Sequence, residues 1–117
     1  MRKIYYLATC STCIRIIKEL GITDSNFDMQ DIKTQPITSD HLDEMKGLSG
    51  SYESLFSRRA MKYKSMGLAS QQLSEQDYKR LIVEEYTFLK RPVFIVDNEI
   101  FVGNAKKIVD AVGQAIG

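Results

Sequence analysis

Hydrophobic and polar positions change period along the chain, and their order at the N-terminal end predicts a βαβ unit. The short apolar run Lys3–Leu7 predicts a buried strand. Apolar residues at positions 14, 16, 17 and 20 predict a helix, which Gly21 would end in a left-handed cap. Alternating apolar and polar residues predict a second strand over Asn26–Ile32. Strands joined by a helix in this way lie parallel.

The middle of the chain has a helical pattern only. Pro36 interrupts the chain, and Thr38 or Ser39 would cap a helix that continues to about Gly47. One or two short helices are expected over Tyr52–Met66. A capping box at Ser74-Glu75-Gln76-Asp77 starts a further helix. One side of that helix carries the apolar residues Tyr78, Leu81, Ile82, Tyr86 and Leu89.

The C-terminal part returns to strands. Val93–Val96 and Glu99–Gly103 flank the turn Asp97-Asn98, and this spacing predicts a β-hairpin. Asn104 would cap a last helix. The predicted fold is therefore α/β, with a mixed sheet of about four strands in the order β-α-β, a helical middle and β-β-α.

Length and charge narrow the class of protein. A chain of 117 residues fits one domain. Its 16 Lys and Arg balance 15 Asp and Glu, so it lacks the positive field of a protein that binds nucleic acid directly. No apolar stretch is long enough for a signal-peptide core or a membrane span, so we expect a cytoplasmic protein without membrane contact.

The two cysteines are the strongest chemical signal in the sequence. Cys10 falls in the loop after the first strand, and Cys13 falls near the first turn of the helix. Free backbone N–H groups and the helix dipole at that place favour a thiolate, so the pKa of Cys10 should fall. Cys13 could then resolve a mixed disulfide formed on Cys10. Two alternatives stay open: buried cysteines without chemistry, and a zinc site with His41, although structural zinc needs about four ligands.

Two groups of basic residues are further candidates for binding an anion or stabilising a thiolate. Arg91-Pro92 is an ordinary start of a strand, but a cis bond there would present backbone to a bound partner, and the arginine could hold an anion or a thiolate. Arg58-Arg59, with Lys62 and Lys64, is either a solvated helix face or an anion site.

Several motifs, taken in this order, resemble the ArsC/Spx family across nearly the whole chain. They are Ala8-Thr9-Cys10-Ser11-Thr12-Cys13, Leu55-Phe56-Ser57-Arg58-Arg59, Lys90-Arg91-Pro92-Val93 and Val102-Gly103. The family includes glutaredoxin-linked arsenate reductases and the Spx transcriptional regulators. The resemblance implies one thioredoxin-like domain over residues 1–117, with a helical insert at roughly 38–88.

The resemblance also implies an activity and assigns roles to residues. It implies a thiol-disulfide oxidoreductase acting on a disulfide, a glutathione mixed disulfide or arsenate. Such an enzyme binds no cofactor or metal, and glutathione, another small thiol, or a glutaredoxin- or thioredoxin-type protein reduces it. The catalytic residues would be Cys10, Cys13, Arg59 and Arg91, with Arg58 replacing Arg59 if the motif shifts by one position. The substrate-binding residues would be Ser11, Thr12, Arg58 and Pro92.

The sequence departs from the reductase pattern at two positions. Gly103 stands where these reductases carry a third arginine, and Cys13 supplies a second thiol that they usually lack. Spx proteins do have that second thiol. They also have a glycine, near the place that Gly50-Ser51-Tyr52 occupies in this chain, that they use in docking on RNA polymerase. A redox-sensing regulator that binds an RNA polymerase subunit is therefore the alternative function. A third hypothesis is a stable thioredoxin-fold domain whose two thiols have no chemical role.

Overall fold

The computed structural model describes all residues, 1–117, and consists of four strands and five α-helices. The strands are β1 (Arg2–Tyr6), β2 (Asp28–Asp31), β3 (Val93–Val96) and β4 (Glu99–Val102), and the helices are α1 (Ser11–Leu20), α2 (Ser39–Ser49), α3 (Met61–Ser65), α4 (Glu75–Glu84) and α5 (Lys106–Ile116). Short 3₁₀ turns cover Glu53–Leu55, Leu68–Ser70 and Tyr86–Phe88. No helix is both long and apolar enough to cross a bilayer.

The chain divides into two compact units. The first comprises Met1–Gln35 and Arg91–Gly117, and the second comprises Pro36–Lys90. All four strands belong to the first unit, and the second unit is helical. The segment predicted as a helical insert, 38–88, lies within the second unit.

The sheet of the first unit has the strand order β2-β1-β3-β4. The pair β1 and β2 is parallel, and the other two pairs are antiparallel. This arrangement confirms the predicted βαβ unit, the hairpin and the mixed four-stranded α/β sheet. Gly21 ends α1 with φ of 68°, as expected of a left-handed cap.

The core of the first unit lies between the sheet and helices α1 and α5. Every residue of β3 is buried, which explains its uninterrupted apolar sequence. Helix α1 buries Cys13, Ile16 and Ile17, while α5 buries Val109 and Val112.

The second unit has its own core around Phe56. The Phe56 ring stacks on Phe88 at 5.0 Å and meets the edge of Tyr78 at 4.9 Å. Both predicted caps are confirmed, because Thr38 and Ser74 each accept a hydrogen bond from the backbone N–H three residues on.

Three local predictions differ from the structure. Helix α4 ends at Glu84, although the apolar pattern continued to Leu89. Residues 88–90 instead pair with residues 55–57, through Ser57 N–H to Phe88 O at 2.7 Å and Lys90 N–H to Leu55 O at 2.8 Å. That pairing needs extended backbone, so tertiary contacts override the helical period. Helix α1 starts at Ser11, three residues before its first predicted position, and Ala105 rather than Asn104 occupies the N-cap of α5.

Candidate functional site

Cys10 is the N-cap residue of helix α1. Its backbone is extended, with φ of −92° and ψ of 110°, and its carbonyl accepts the first helical hydrogen bond from Ile14 N–H at 3.1 Å. Its own N–H donates to Leu7 O at 3.0 Å, which ties the loop to the end of β1. The predicted position of this cysteine at the helix N-terminus is confirmed, with the side chain partly exposed.

Several donors converge on the Cys10 sulfur. Partial burial raises the pKa of Cys10, but hydrogen bonds from the backbone N–H and the thiol of Cys13, and from the Thr12 backbone N–H, lower it. The charge of Arg91 lowers it further. The net result is a Cys10 pKa below its ordinary value, as expected for a thiol at a helix N-terminus.

Cys13 has the opposite character. Its side chain is completely buried, and burial raises the pKa of the Cys13 thiol to about 11. A backbone hydrogen bond with Leu7 and the charge of Arg91 lower that pKa, whereas the neighbouring Cys10 raises it. Both cysteines are free thiols. At neutral pH Cys13 therefore keeps its proton and donates it in the hydrogen bond to Cys10.

The Arg91-Pro92 peptide bond is cis. Pro92 is buried and its carbonyl accepts a hydrogen bond from Gly103 N–H at 2.9 Å. Arg91 is half-buried and is the arginine whose charge acts on both thiols. Gly103 has φ of 100°, a backbone conformation that other residues rarely adopt. A side chain would therefore be strained at the position where the reductases that the sequence resembles carry a third arginine.

Arg58 and Arg59 lie in the second unit, and their surroundings differ. The Arg58 guanidinium donates to the Glu53 carboxylate at 2.7 Å and to the Tyr78 hydroxyl at 3.0 Å. The Arg59 side chain is exposed, and it forms no ion pair or side-chain hydrogen bond. Of the two, Arg59 is the one whose guanidinium is available to an anion.

The rest of the predicted basic cluster is partly neutralised. Lys62 pairs with Glu85 at 2.9 Å, whereas Lys64 is exposed and forms no ion pair. His41, the histidine considered for zinc, accepts the Thr38 N–H on Nδ1 at 3.1 Å and completes the cap of α2. No group of three or more His, Cys, Asp or Glu side chains is arranged to hold a metal ion, so the structure offers no set of ligands for the zinc site considered with His41.

A surface groove of about 550 Å³ lies beside the thiol and was missed by the sequence analysis. Its lining includes Thr9 and Ser11, the two neighbours of Cys10, and it continues along one face of α1. The full lining is Ala8, Thr9, Ser11, Ile14, Arg15 and Lys18. Positions 11, 14, 15 and 18 follow the i, i+3, i+4, i+7 spacing of one helix face, so the periodicity of α1 did contain the signal.

The fold and the thiol site define the class of protein: a thioredoxin-like domain with a cysteine at the N-terminus of its first helix. The sequence profile of the ArsC family matches residues 5–112. The chain belongs to the ArsC family. A search of curated proteins finds no match.

Solved structures share the fold over nearly the full length. The YFFB protein superposes with a TM-score of 0.80 at 20% identity, covering 100% of both chains. A "possible arsenate reductase" from Streptococcus mutans has a TM-score of 0.69 at 25% identity, covering 94% of this chain and 98% of its own. The arsenate reductase from Vibrio cholerae has a TM-score of 0.73 at 17% identity, with coverage of 97% and 96%. The arsenate reductase-like, thioredoxin-like fold is thus established.

Proposed function

We propose that the protein is a thiol-dependent reductase in which Cys10 is the nucleophile and Cys13 the resolving thiol. The observation that carries this proposal is the set of donors on the Cys10 sulfur, namely the N–H groups of Thr12 and Cys13 and the thiol of Cys13. These donors stabilise a thiolate, and the thiolate is the reactive form in disulfide exchange. Membership of the ArsC family supports the same class of reaction.

The proposed reaction moves two electrons from the protein to a disulfide substrate. The Cys10 thiolate attacks one sulfur, the substrate S–S bond breaks, and the other half leaves as a thiolate that takes a proton from water. Cys13 then loses its proton and attacks the Cys10 sulfur, which releases the second half as a thiol. The protein is left with a Cys10–Cys13 disulfide. An external thiol, glutathione or a glutaredoxin- or thioredoxin-type protein, reduces it again.

Arsenate is the other proposed substrate, because the same two thiols could reduce it. The thiolate would displace one arsenate oxygen as water, and attack by Cys13 on Cys10 would break the S–As bond and leave the electron pair on arsenic, now As(III). Arg91 is the proposed anion-binding residue of the first unit, because its charge acts on both thiols. The family resemblance assigns an anion-binding role to Arg59 as well. Gly103 provides no third cation, so we expect a disulfide or a glutathione mixed disulfide to be the better substrate.

A steady-state assay tests the proposal. The purified protein is supplied with excess reduced glutathione or dithiothreitol, and with a glutathione mixed disulfide, a simple disulfide or arsenate in separate reactions. We expect turnover that Cys10→Ser abolishes and that Cys13→Ser slows. Absence of turnover with all three substrates would count against the proposal, as would a Cys10→Ser protein as active as the wild type.

A second candidate is a redox-switched regulator that docks on RNA polymerase. Gly50 favours it, because this glycine is exposed at the end of α2 with φ of 99° and has open space around it. The neighbouring Tyr52 is buried and donates its hydroxyl to Asp43 at 2.6 Å, which fixes the segment. Affinity capture with reduced and with oxidised protein distinguishes the two functions. Recovery of a polymerase subunit that depends on the redox state and fails with Gly50→Arg would favour the regulator.

A further inference from the structure

The groove beside Cys10 carries positive charge without acidic neighbours in its lining. Arg15 and Lys18 are its two charged residues, and Ala8 and Ile14 give it an apolar component. The whole chain has a net charge of only +1, so this local excess of cations does not follow from the overall composition.

Arg15 and Lys18 differ in whether they form an ion pair within the protein. The exposed amine of Lys18 forms no ion pair, whereas Arg15 approaches Glu19 at 3.8 Å with both side chains more than half exposed. A contact of that length between exposed groups is weak, and an incoming carboxylate can replace it. Lys18 also lies in the last turn of α1, where a cation is favoured by the helix dipole, but that interaction leaves its hydrogen-bond donors unused.

The rise of helix α1 sets the spacing of the ligand groups that Arg15 and Lys18 could contact in the groove. With a rise of about 1.5 Å per residue, Arg15 and Lys18 lie about 6 Å and about 10 Å along α1 from Ser11. An extended peptide advances about 3.4 Å per residue, so these distances correspond to about two and about three residues. A peptide whose cysteine, bonded to the Cys10 sulfur, lies level with Ser11 would therefore bring its second and third neighbours to the two cations.

From these observations we propose that the groove is a specificity subsite for acidic peptide segments attached to the reacting sulfur. The substrate class is a cysteine-containing protein or peptide in disulfide form, with Asp or Glu two and three positions from the cysteine. Arg15 and Lys18 would pair with those carboxylates, and Ala8 and Ile14 would contact the chain between them. This inference rests on the proposed role of Cys10 as the attacking thiol.

The test uses the first chemical step alone. Synthetic peptides carry one cysteine as a mixed disulfide with neutral thiopyridine, and glutamate, glutamine or lysine at the second and third positions on both sides. The Cys10 thiolate attacks the peptide sulfur and releases thiopyridone, whose absorbance gives the second-order rate constant. We expect the glutamate peptide to react about tenfold faster than the lysine peptide, the size of effect given by two surface ion pairs, and the ratio to shrink at high salt.

Charge-reversal variants distinguish a local effect of Arg15 and Lys18 from an effect of the protein's overall charge. Lys18→Glu and Arg15→Glu should each lower the preference for the glutamate peptide, and the double variant should invert it. Lys33→Glu is the matched control, because Lys33 is an exposed, unpaired lysine of the same unit that does not line the groove. Thermal unfolding checks that each variant is folded.

The outcomes distinguish this inference from the proposed function. If Cys10 reacts with the glutamine peptide no faster than free cysteine does, the proposed function fails. If it reacts quickly but without a charge preference, or if Lys33→Glu changes the preference as much as Lys18→Glu, the subsite is overturned and the proposed function stands.

Discussion

The thiol of Cys13 donates a hydrogen bond to the sulfur of Cys10, and the two pKa values move in opposite directions. The pKa of Cys10 is lowered, although its partial burial acts against this. The pKa of Cys13 is raised to about 11, chiefly by burial. These opposite shifts are the basis for proposing that Cys10 attacks as a thiolate while Cys13 keeps its proton.

The first prediction concerns which thiol is reactive. Iodoacetamide at neutral pH should alkylate Cys10 in the folded protein and leave Cys13 unmodified, because Cys13 is buried and protonated. Peptide mapping by mass spectrometry gives the site. Unfolded protein serves as the control, in which both cysteines should be labelled at similar rates. Comparable labelling of Cys13 in the folded protein would refute the assigned roles.

The second prediction concerns Arg91. Arg91→Gln should raise the pKa of Cys10, because the arginine charge favours the thiolate, while Arg91→Lys should retain most of the effect. The pH profile of the alkylation rate gives the pKa, and Lys33→Gln is the control for loss of a more distant charge. An unchanged profile for Arg91→Gln would mean that the helix N-terminus alone activates the thiol. Arg59→Gln in the same assay tests the role that the family resemblance assigns to Arg59.

The sequence predicted most of the first unit, and the place of Cys10 at the N-terminus of α1, because local signals there agree with the tertiary structure. A buried strand, the cysteine loop and a Gly-capped helix are each set by neighbours in the chain. The end of α4 was not predictable, because Tyr86 and Leu89 continue the helical spacing of the apolar residues, whereas Leu89 pairs with Phe56 in extended backbone. The groove along α1 could not be predicted for another reason: Arg15 and Lys18 have the spacing of an ordinary solvent-exposed helix face, and only the folded loop at Ala8 and Thr9 completes the concave surface.

The third prediction concerns the pH dependence of the resolving step. Cys13 must lose its proton to attack, and below its pKa the thiolate fraction rises about tenfold per pH unit. When Cys10 is in a mixed disulfide its contributions to the Cys13 pKa disappear, but burial, the largest cause, remains. The rate of release of the second substrate half should therefore increase with pH through the neutral range. Rapid-quench mass spectrometry measures it, and a rate independent of pH between neutral and mildly alkaline conditions would contradict the assignment.

The fourth prediction concerns Gly103. Gly103→Ala and Gly103→Arg should both lower the free energy of unfolding by about 1–2 kcal/mol, because φ of 100° is unfavourable for any side chain. Gly47→Ala is the matched control, since Gly47 lies inside α2 with open space around it and should gain about 0.5–1 kcal/mol. Denaturant titration gives the values. A Gly103→Arg protein as stable as the wild type would show that an arginine is tolerated there.

The central claim, attack by Cys10 followed by resolution by Cys13, is tested most directly by trapping the intermediate. Reduced Cys13→Ser protein is mixed with one equivalent of a glutathione mixed disulfide, quenched with acid and weighed by mass spectrometry. We predict a stoichiometric adduct on Cys10 that persists in Cys13→Ser, whereas the wild type passes through it to an internal disulfide. Absence of an adduct on Cys10, or an adduct that lasts as long in the wild type, would contradict the mechanism.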